Sequence, residues 1–205
     1  MDQKETNANV DEPMSRYPIF CYPTFKPEIT VALESLPDTY IKDFLPGVYP
    51  WGKPWEFVVK MLQEVKVYEA LKDHPHPNIV RYFGAAVKGD TIIGMCLSKH
   101  TSELDEKLAS ATITERQMYC KEIEDGIRHL HQLGFIHNNL NPESIKMMDN
   151  TPIIVNFHEC RLKGERMERN RERTWWCLEG AQFALPENDL YSFKKLKKFI
   201  MAGQK

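Results

Sequence analysis

The sequence predicts an α+β fold, and three observations predict it. Apolar residues switch between a period of two and a period near 3.6 along the chain. The periodic segments follow in the order strand, helix, strands, helices, hairpin, helix. The chain has 205 residues, 42% hydrophobic and 27% charged, enough to bury a core in one domain or one two-lobed unit.

Taken in order, residues 1 to 16 are polar and expected to be disordered. Residues 17 to 54 carry seven of the prolines, which remove donors and break helices, so extended or irregular backbone is expected. WEFVVKML (55–62) mixes β-branched and aromatic residues and reads as a strand. EVKVYEALK (64–72) takes helical spacing, with Val67, Tyr68 and Leu71 on one face, and HPHPN (74–78) ends it. NIVRYFGAAV (78–87) and TIIGMCLS (91–98) read as a hairpin turning at Gly89-Asp90. ELDEKL (103–108) is a short helix. A longer one runs from Glu115 to about Leu133, capped by Thr114, with Met118, Ile123, Ile127 and Leu130 on one side. Gly134 stands where a C-terminal glycine belongs. IKMM (145–148) and PIIV (152–155) form a second hairpin around Asp149-Asn150. CRLKGERMERNRER (160–173) mixes both signs of charge with few apolar anchors and reads as a solvated, mobile loop. DLYSFKKLKKFI (189–200) returns to helix, with Leu190, Phe193, Leu196 and Ile200 in a stripe.

Composition excludes several classes. A formal net charge of -2 gives no field that would draw nucleic acid or an anionic membrane. The five cysteines are scattered and never at C-x-x-C spacing, against a disulfide framework, a disulfide-linked partner or a structural zinc site. The N-terminus has no apolar signal core, and no apolar run approaches the roughly 20 residues that span a bilayer. An intracellular, cytoplasmic protein is expected.

Five stretches in register carry a resemblance. HNNLNPES (137–144) resembles the protein kinase catalytic loop H-R-D-L-K-P-E-N, and IVNFH (154–158) resembles the strand ending in D-F-G. HPNIVRYFG (76–84) is similar to the sequence after the kinase C-helix. GIRHLHQLGFIH (126–137) is similar to the helix delivering the catalytic loop, and DLYSF (189–193) to the start of the F-helix. The resemblance covers about 55–200. It implies a two-lobed kinase-like fold, with a small β-rich N-lobe over 17–98. A partial, mainly helical C-lobe would cover 99–205, shortened near the F-helix. The proline-laden N-terminal part also resembles small kinase-like proteins of filamentous fungi.

The resemblance also assigns positions. Asn139 stands where a kinase has the Asp that accepts the substrate hydroxyl proton, Ser144 where an Asn holds magnesium, and Asn156 where the D-F-G Asp bridges magnesium to phosphate. An amide carries no charge and is no base near neutral pH. Magnesium is held through one or two carboxylates, and this set offers none. No catalytic residue is therefore intact, and no magnesium or other metal site is expected. His158 replaces glycine. LPGVYPWGKP (45–54) does not match the glycine-rich phosphate loop. Lys60 matches the phosphate-gripping lysine and Glu64 its C-helix partner, but three residues between them make the pair doubtful. His137, Phe157, Tyr68 and Tyr82 match four side chains stacked between kinase lobes, and Asp189 the anchor of the catalytic loop. TWWCLEG (174–180) resembles a degenerate A-P-E segment with Glu179 as its Glu. The F-helix stripe, including Phe193, Leu196 and Phe199, is expected to be exposed or covered by a partner.

The expected function is a catalytically inactive kinase-like module that binds a protein partner and requires no cofactor. The alternatives are a divergent kinase with residual ATP binding and weak transfer to a protein (Ser/Thr) or small molecule, and a degenerate, truncated gene product.

Overall fold

The computed structural model describes residues 22–33, 36–43, 54–167 and 175–202, so the readings placed on 1–16, on 45–53 of the glycine segment and on 168–174 lie outside the described residues. The fold is α+β. Strand β1 (Thr39–Asp43) precedes helix α1 (Pro54–Leu71). Strands β2 (Tyr82–Lys88) and β3 (Thr91–Ser98) follow, then β4 (Ser102–Glu103), α2 (Leu104–Leu108) and α3 (Ile113–Gln132). The chain continues with β5 (Phe135–Ile136), β6 (Ile145–Met148), β7 (Thr151–Ile154) and β8 (Arg161–Leu162), and α4 (Pro186–Ala202) comes last.

The strand expected at 55–62 is instead the first half of α1. β-Propensity there is overridden by burial at helical spacing: Met61, Glu64, Val65, Tyr68 and Leu71 all turn inward. Pro54 sits at the first helical position, where its missing donor costs nothing. Within the proline-rich region TYIKD takes the extended backbone expected there and forms β1. β1 pairs antiparallel with β3, with Ile41 opposite Cys96, and β3 pairs with β2 to give the order β1-β3-β2. The hairpin turns at Gly89, as its positive φ of 59° permits. β4, β6 and β7 form a second sheet, and β5 pairs with β8.

Pro23 to Phe25 bond to Asp90 and Ile92 at the start of β3, and residues 30–32 run along the far edge of β2. Ala32 N–H donates to Ala85 O at 2.9 Å, and Ala85 N–H donates to Thr30 O at 2.7 Å. Glu69 on α1 fixes this segment by accepting from Thr30 N–H (2.8 Å), Thr30 Oγ1 (2.9 Å) and Tyr82 Oη (2.9 Å). Those bonds and Lys72 outweigh burial and hold the Glu69 carboxyl below its usual range. The close approach depends on Gly84, whose φ is +133° and whose added Cβ would lie 2.4 Å from Ala32 N and 2.7 Å from Val31 C. Gly84→Ala is expected to cost about 3 kcal/mol, lowering the thermal midpoint by about 10 °C. A differential scanning measurement showing an unchanged midpoint would contradict this packing of 30–32.

α3 begins two residues earlier than expected. Its N-cap is Thr112, not Thr114, because Thr112 and Glu115 form a reciprocal capping box. Ile123, Ile127 and Leu130 are buried with Tyr119 and Cys120, but Met118 faces solvent at 42% exposure. Gly134 (φ 82°) closes the helix. α4 packs on α3 and corrects another expectation: Phe193, Leu196 and Ile200 are buried within this chain, Phe199 is partly buried against Trp176, and Leu190 alone of the stripe is largely exposed. Buried Arg116 ties these helices together. Its guanidinium donates to Ala111 O (3.1 Å) in the α2–α3 loop and to Ile200 O (2.6 Å) and Leu108 O, two carbonyls that helix ends leave without partners. Cys96, Cys120 and Cys160 are buried free thiols and Cys177 is half-buried. No helix among the described residues is long and apolar enough to cross a membrane.

Candidate functional site

The site forms where α1, β1 and the loop after β7 meet. Lys42 is the fourth residue of β1, and Glu64 lies mid-helix on the inward face of α1. Lys42 Nζ donates to Glu64 Oε1 at 2.7 Å and to Asn156 Oδ1 at 3.0 Å. Glu64 is 4% exposed, and the same oxygen accepts Phe157 N–H at 3.1 Å. Glu64 thus finds a lysine partner, but it is Lys42 and not Lys60. Lys60 lies on α1 and pairs with Glu159 at 3.2 Å. One turn of a shared helix separates Lys60 from Glu64, whereas β1 brings Lys42 in from across the sheet.

Asn156 adopts a left-handed conformation (φ 65°), which its short amide tolerates. Its Nδ2 donates to Glu143 O at 3.3 Å. His158 follows within the 3-10 turn Phe157–Glu159; burial lowers its pKa, Glu64 and Glu159 oppose that, and Lys42 and Lys60 reinforce it. Burial raises the Cys160 thiol well above its ordinary value, so it is inert as a nucleophile.

The loop 137–144 is built from its own amides. Asn141 Oδ1 accepts Glu143 N–H (2.8 Å) and Ser144 N–H (3.2 Å), capping the 3-10 turn Pro142–Ser144. Ser144 Oγ donates to Asn141 O at 2.7 Å and accepts Asn141 N–H at 2.9 Å. The Ser144 hydroxyl is therefore occupied within the loop and 1% exposed. Asn139 N–H donates to His137 Nδ1 (3.3 Å), and its side-chain oxygen accepts from Asn141 Nδ2 (3.3 Å). Asp149 lies in the β6–β7 turn, exposed, and supplies nothing to this loop. Among the described residues no group of three or more His, Cys, Asp or Glu side chains is placed to hold a metal ion.

Beneath the loop lies an aromatic column. Tyr82 stacks on Tyr68 (5.4 Å), Tyr68 meets Phe157 edge-on (5.2 Å), and Phe157 meets His137 (5.1 Å). His137 is fully buried, which depresses its pKa. Its Nδ1 accepts from Asn139, so the proton of the neutral ring sits on Nε2 and is donated to Val155 O at 3.0 Å. Asp189, fully buried on α4, accepts His137 N–H (2.9 Å) with one oxygen and Asn138 N–H (2.8 Å) with the other, while His131 Nε2 lies 2.8 Å away.

Sequence reasoning missed Lys42, Asn138, Asn141 and Asn188. Asn138 holds φ at 62°, and its side chain donates to Ile136 O and Glu159 O and accepts from Asn188 Nδ2 at 2.9 Å. The signal for Lys42 was a β-prone run, Thr-Tyr-Ile-Lys, just ahead of the proline-rich connection. The signal for Asn141 was its spacing before Ser144, an Asx cap with Pro between. Glu179 is exposed, and Cys177 Sγ donates to Asn138 O at 3.5 Å.

No family model matches the chain. Part of it is similar to curated kinases. Serine/threonine-protein kinase SSK22 of Saccharomyces cerevisiae is 33% identical over 104 residues, 48% of this chain and 8% of that protein. "Probable serine/threonine-protein kinase fhkB" of Dictyostelium discoideum is 32% identical over 82 residues, 39% of this chain and 7% of that protein. MAP kinase kinase kinase SSK2 of S. cerevisiae is 31% identical over 88 residues, 40% of this chain and 5% of that protein. The chain spans less than a tenth of each of these relatives. Over slightly less than half its length it is similar to serine/threonine-protein kinases, and its α+β architecture of small antiparallel sheets and helices is compatible with a kinase-like fold.

Proposed function

We propose that this chain is a kinase-like domain that does not transfer phosphate and works as a binding or regulatory module. Its first sheet with α1 would form one lobe, and α2, α3, α4 and the second sheet the other. The observation that carries this reading is the chemistry of the loop. Lys42 and Glu64 are paired, yet Asn139, Ser144 and Asn156 hold neutral groups, and those of Asn139 and Ser144 are hydrogen-bonded within the loop. Phosphoryl transfer is almost wholly positioning and charge neutralisation by metal. These residues do not fit magnesium.

A second reading, a divergent kinase that retains ATP, is favoured by the Lys42–Glu64 pair itself, since a lysine so held is the group that would grip nucleotide phosphates. Lys42 replaces Lys60 in that role.

Thermal midpoints of the purified chain with ATP, each with and without magnesium, separate the readings, because a ligand binding only the folded state raises the midpoint. The expected result is no magnesium-dependent shift and no transfer of the terminal phosphate to protein or small-molecule acceptors. A shift that needs magnesium would replace the proposal by the divergent kinase. A shift with ATP alone would make the module a metal-free nucleotide binder. Absence of a cooperative transition would mark a degenerate product.

A further inference from the structure

The two long surface helices treat charge differently. On α3, cations and anions interleave and pair: Arg128 meets Asp125 at 3.2 Å and Glu124 at 3.9 Å. On α4 they do not. After Glu187 the only acid is Asp189, which is buried and bound to the loop 137–138, while Lys194, Lys195, Lys197 and Lys198 follow within five residues. Among the described residues Lys194, Lys197 and Lys198 enter no ion pair. Lys194 stands three and four residues from Lys197 and Lys198, so their like charges repel along one face. The helix dipole does not explain them, because the last turn holds no basic residue.

Apolar surface flanks these lysines, Leu190 beside Lys194 and Trp175 beside Lys195 and Tyr191. Leu190 is 54% exposed and Trp175 67%. Trp175 does not dangle: Lys195 Nζ lies 5.0 Å above its ring and 4.6 Å from the Tyr191 ring, and donates to Trp175 O. A fixed exposed Trp and a half-buried Tyr beside unpaired lysines combine the residue types that anchor protein interfaces with a positive rim. The chain as a whole carries -2, so the positive potential is local to this face. The buried stripe of α4 faces α3 and cannot enter a bilayer, which favours a peptide over a lipid surface.

We infer that the outer face of α4, with Trp175, docks an acidic peptide segment of a partner protein: its carboxylates would meet Lys194, Lys197 and Lys198, and an apolar residue would rest on Trp175 and Leu190. This names the partner class of the binding-module reading and rests on it. A failed titration here leaves the nucleotide and phosphotransfer results unchanged, so the two readings fail separately.

The test is a fluorescence anisotropy titration of the full chain with a short glutamate-rich peptide containing one phenylalanine. The same peptide with lysine for glutamate, and vesicles of phosphatidylserine and phosphatidylcholine, form the other arms. The expected result is salt-sensitive binding of the acidic peptide only. The triple substitution Lys194→Glu, Lys197→Glu, Lys198→Glu should weaken it about tenfold or more with an unchanged thermal midpoint. Trp175→Ala should weaken it separately, without changing its salt dependence. Equal binding by the triple variant, equal binding of the lysine peptide, binding to vesicles alone, or no binding at low salt would each overturn the proposal. Should the triple variant not fold, Lys194→Gln with Lys198→Gln gives the same comparison.

Discussion

Asp189→Asn is expected to be the most damaging single substitution of near-constant volume. Both carboxylate oxygens of Asp189 accept from the backbone of the loop, His137 N–H at 2.9 Å and Asn138 N–H at 2.8 Å, and the group is fully buried. An amide must point its NH2 at one of these donors, leaving a buried N–H unpaired against another N–H. It also removes the charge that His131 approaches at 2.8 Å. Breaking a buried charge-assisted network costs about 3–4 kcal/mol, which for a chain of this size lowers the midpoint by about 10 °C. Hydrogen exchange at residues 137–139 should accelerate more than exchange in β2 and β3. An Asp189→Asn protein that melts within about a degree of the parent would show that the loop is held by something else.

Lys42→Met should give the largest loss among the lysine substitutions. It leaves the Glu64 carboxylate 4% exposed with no counter-ion and only Phe157 N–H as donor. The lysine is partly exposed, with 27% of its side chain accessible, so the full penalty of a buried pair is discounted to about 2–3 kcal/mol. Adding Glu64→Gln should restore most of the loss, because the orphaned charge goes with it. Lys60→Met is the control: its partner Glu159 is 19% exposed against 5% for the Glu64 side chain, so the acid left behind stays solvated, and less than about 1 kcal/mol is expected. Denaturant melts of these proteins together with the Glu64→Gln single variant measure the coupling. If Lys42→Met costs no more than Lys60→Met, the Lys42–Glu64 pair is not the tie between α1 and β1.

The turns were legible in the sequence because local chemistry fixes their residues, and the rest followed from the resemblance. The hairpins were marked by Gly89 and Asp149, and the end of α3 by Gly134, because positive φ admits few residue types. The loop 137–144 and the column His137, Phe157, Tyr68 and Tyr82 followed from motifs in register, and the structure places all four side chains together. Lys42 was hidden because its strand lies in a proline-rich region and because Phe57 to Lys60 has stronger β-propensity than Thr39 to Lys42. Which of two β-prone runs becomes strand is settled by long-range pairing, here Thr39 to Asp43 against β3, and no local signal carries that. The amide network of Asn138, Asn141 and Asn188 was illegible for a related reason. Asparagine side chains suit turns, caps and cross-links equally, and only the fold decides among them.

The reach of α4 has a consequence for how the polypeptide is made. Asp189 closes the loop at His137 across 52 residues, and Arg116 closes on Ile200 across 84. During synthesis on the ribosome, the loop emerges with its two N–H groups bonded to water and must wait for α4 before they find protein acceptors. Helix α3 likewise leaves the exit tunnel with a guanidinium whose carbonyl partner has not been translated. Contacts of such separation form late, since chain closure must be met before they contribute. The nascent chain should therefore stay sensitive to protease around 137–144 until Ile200 has cleared the tunnel, and should become resistant in one step thereafter.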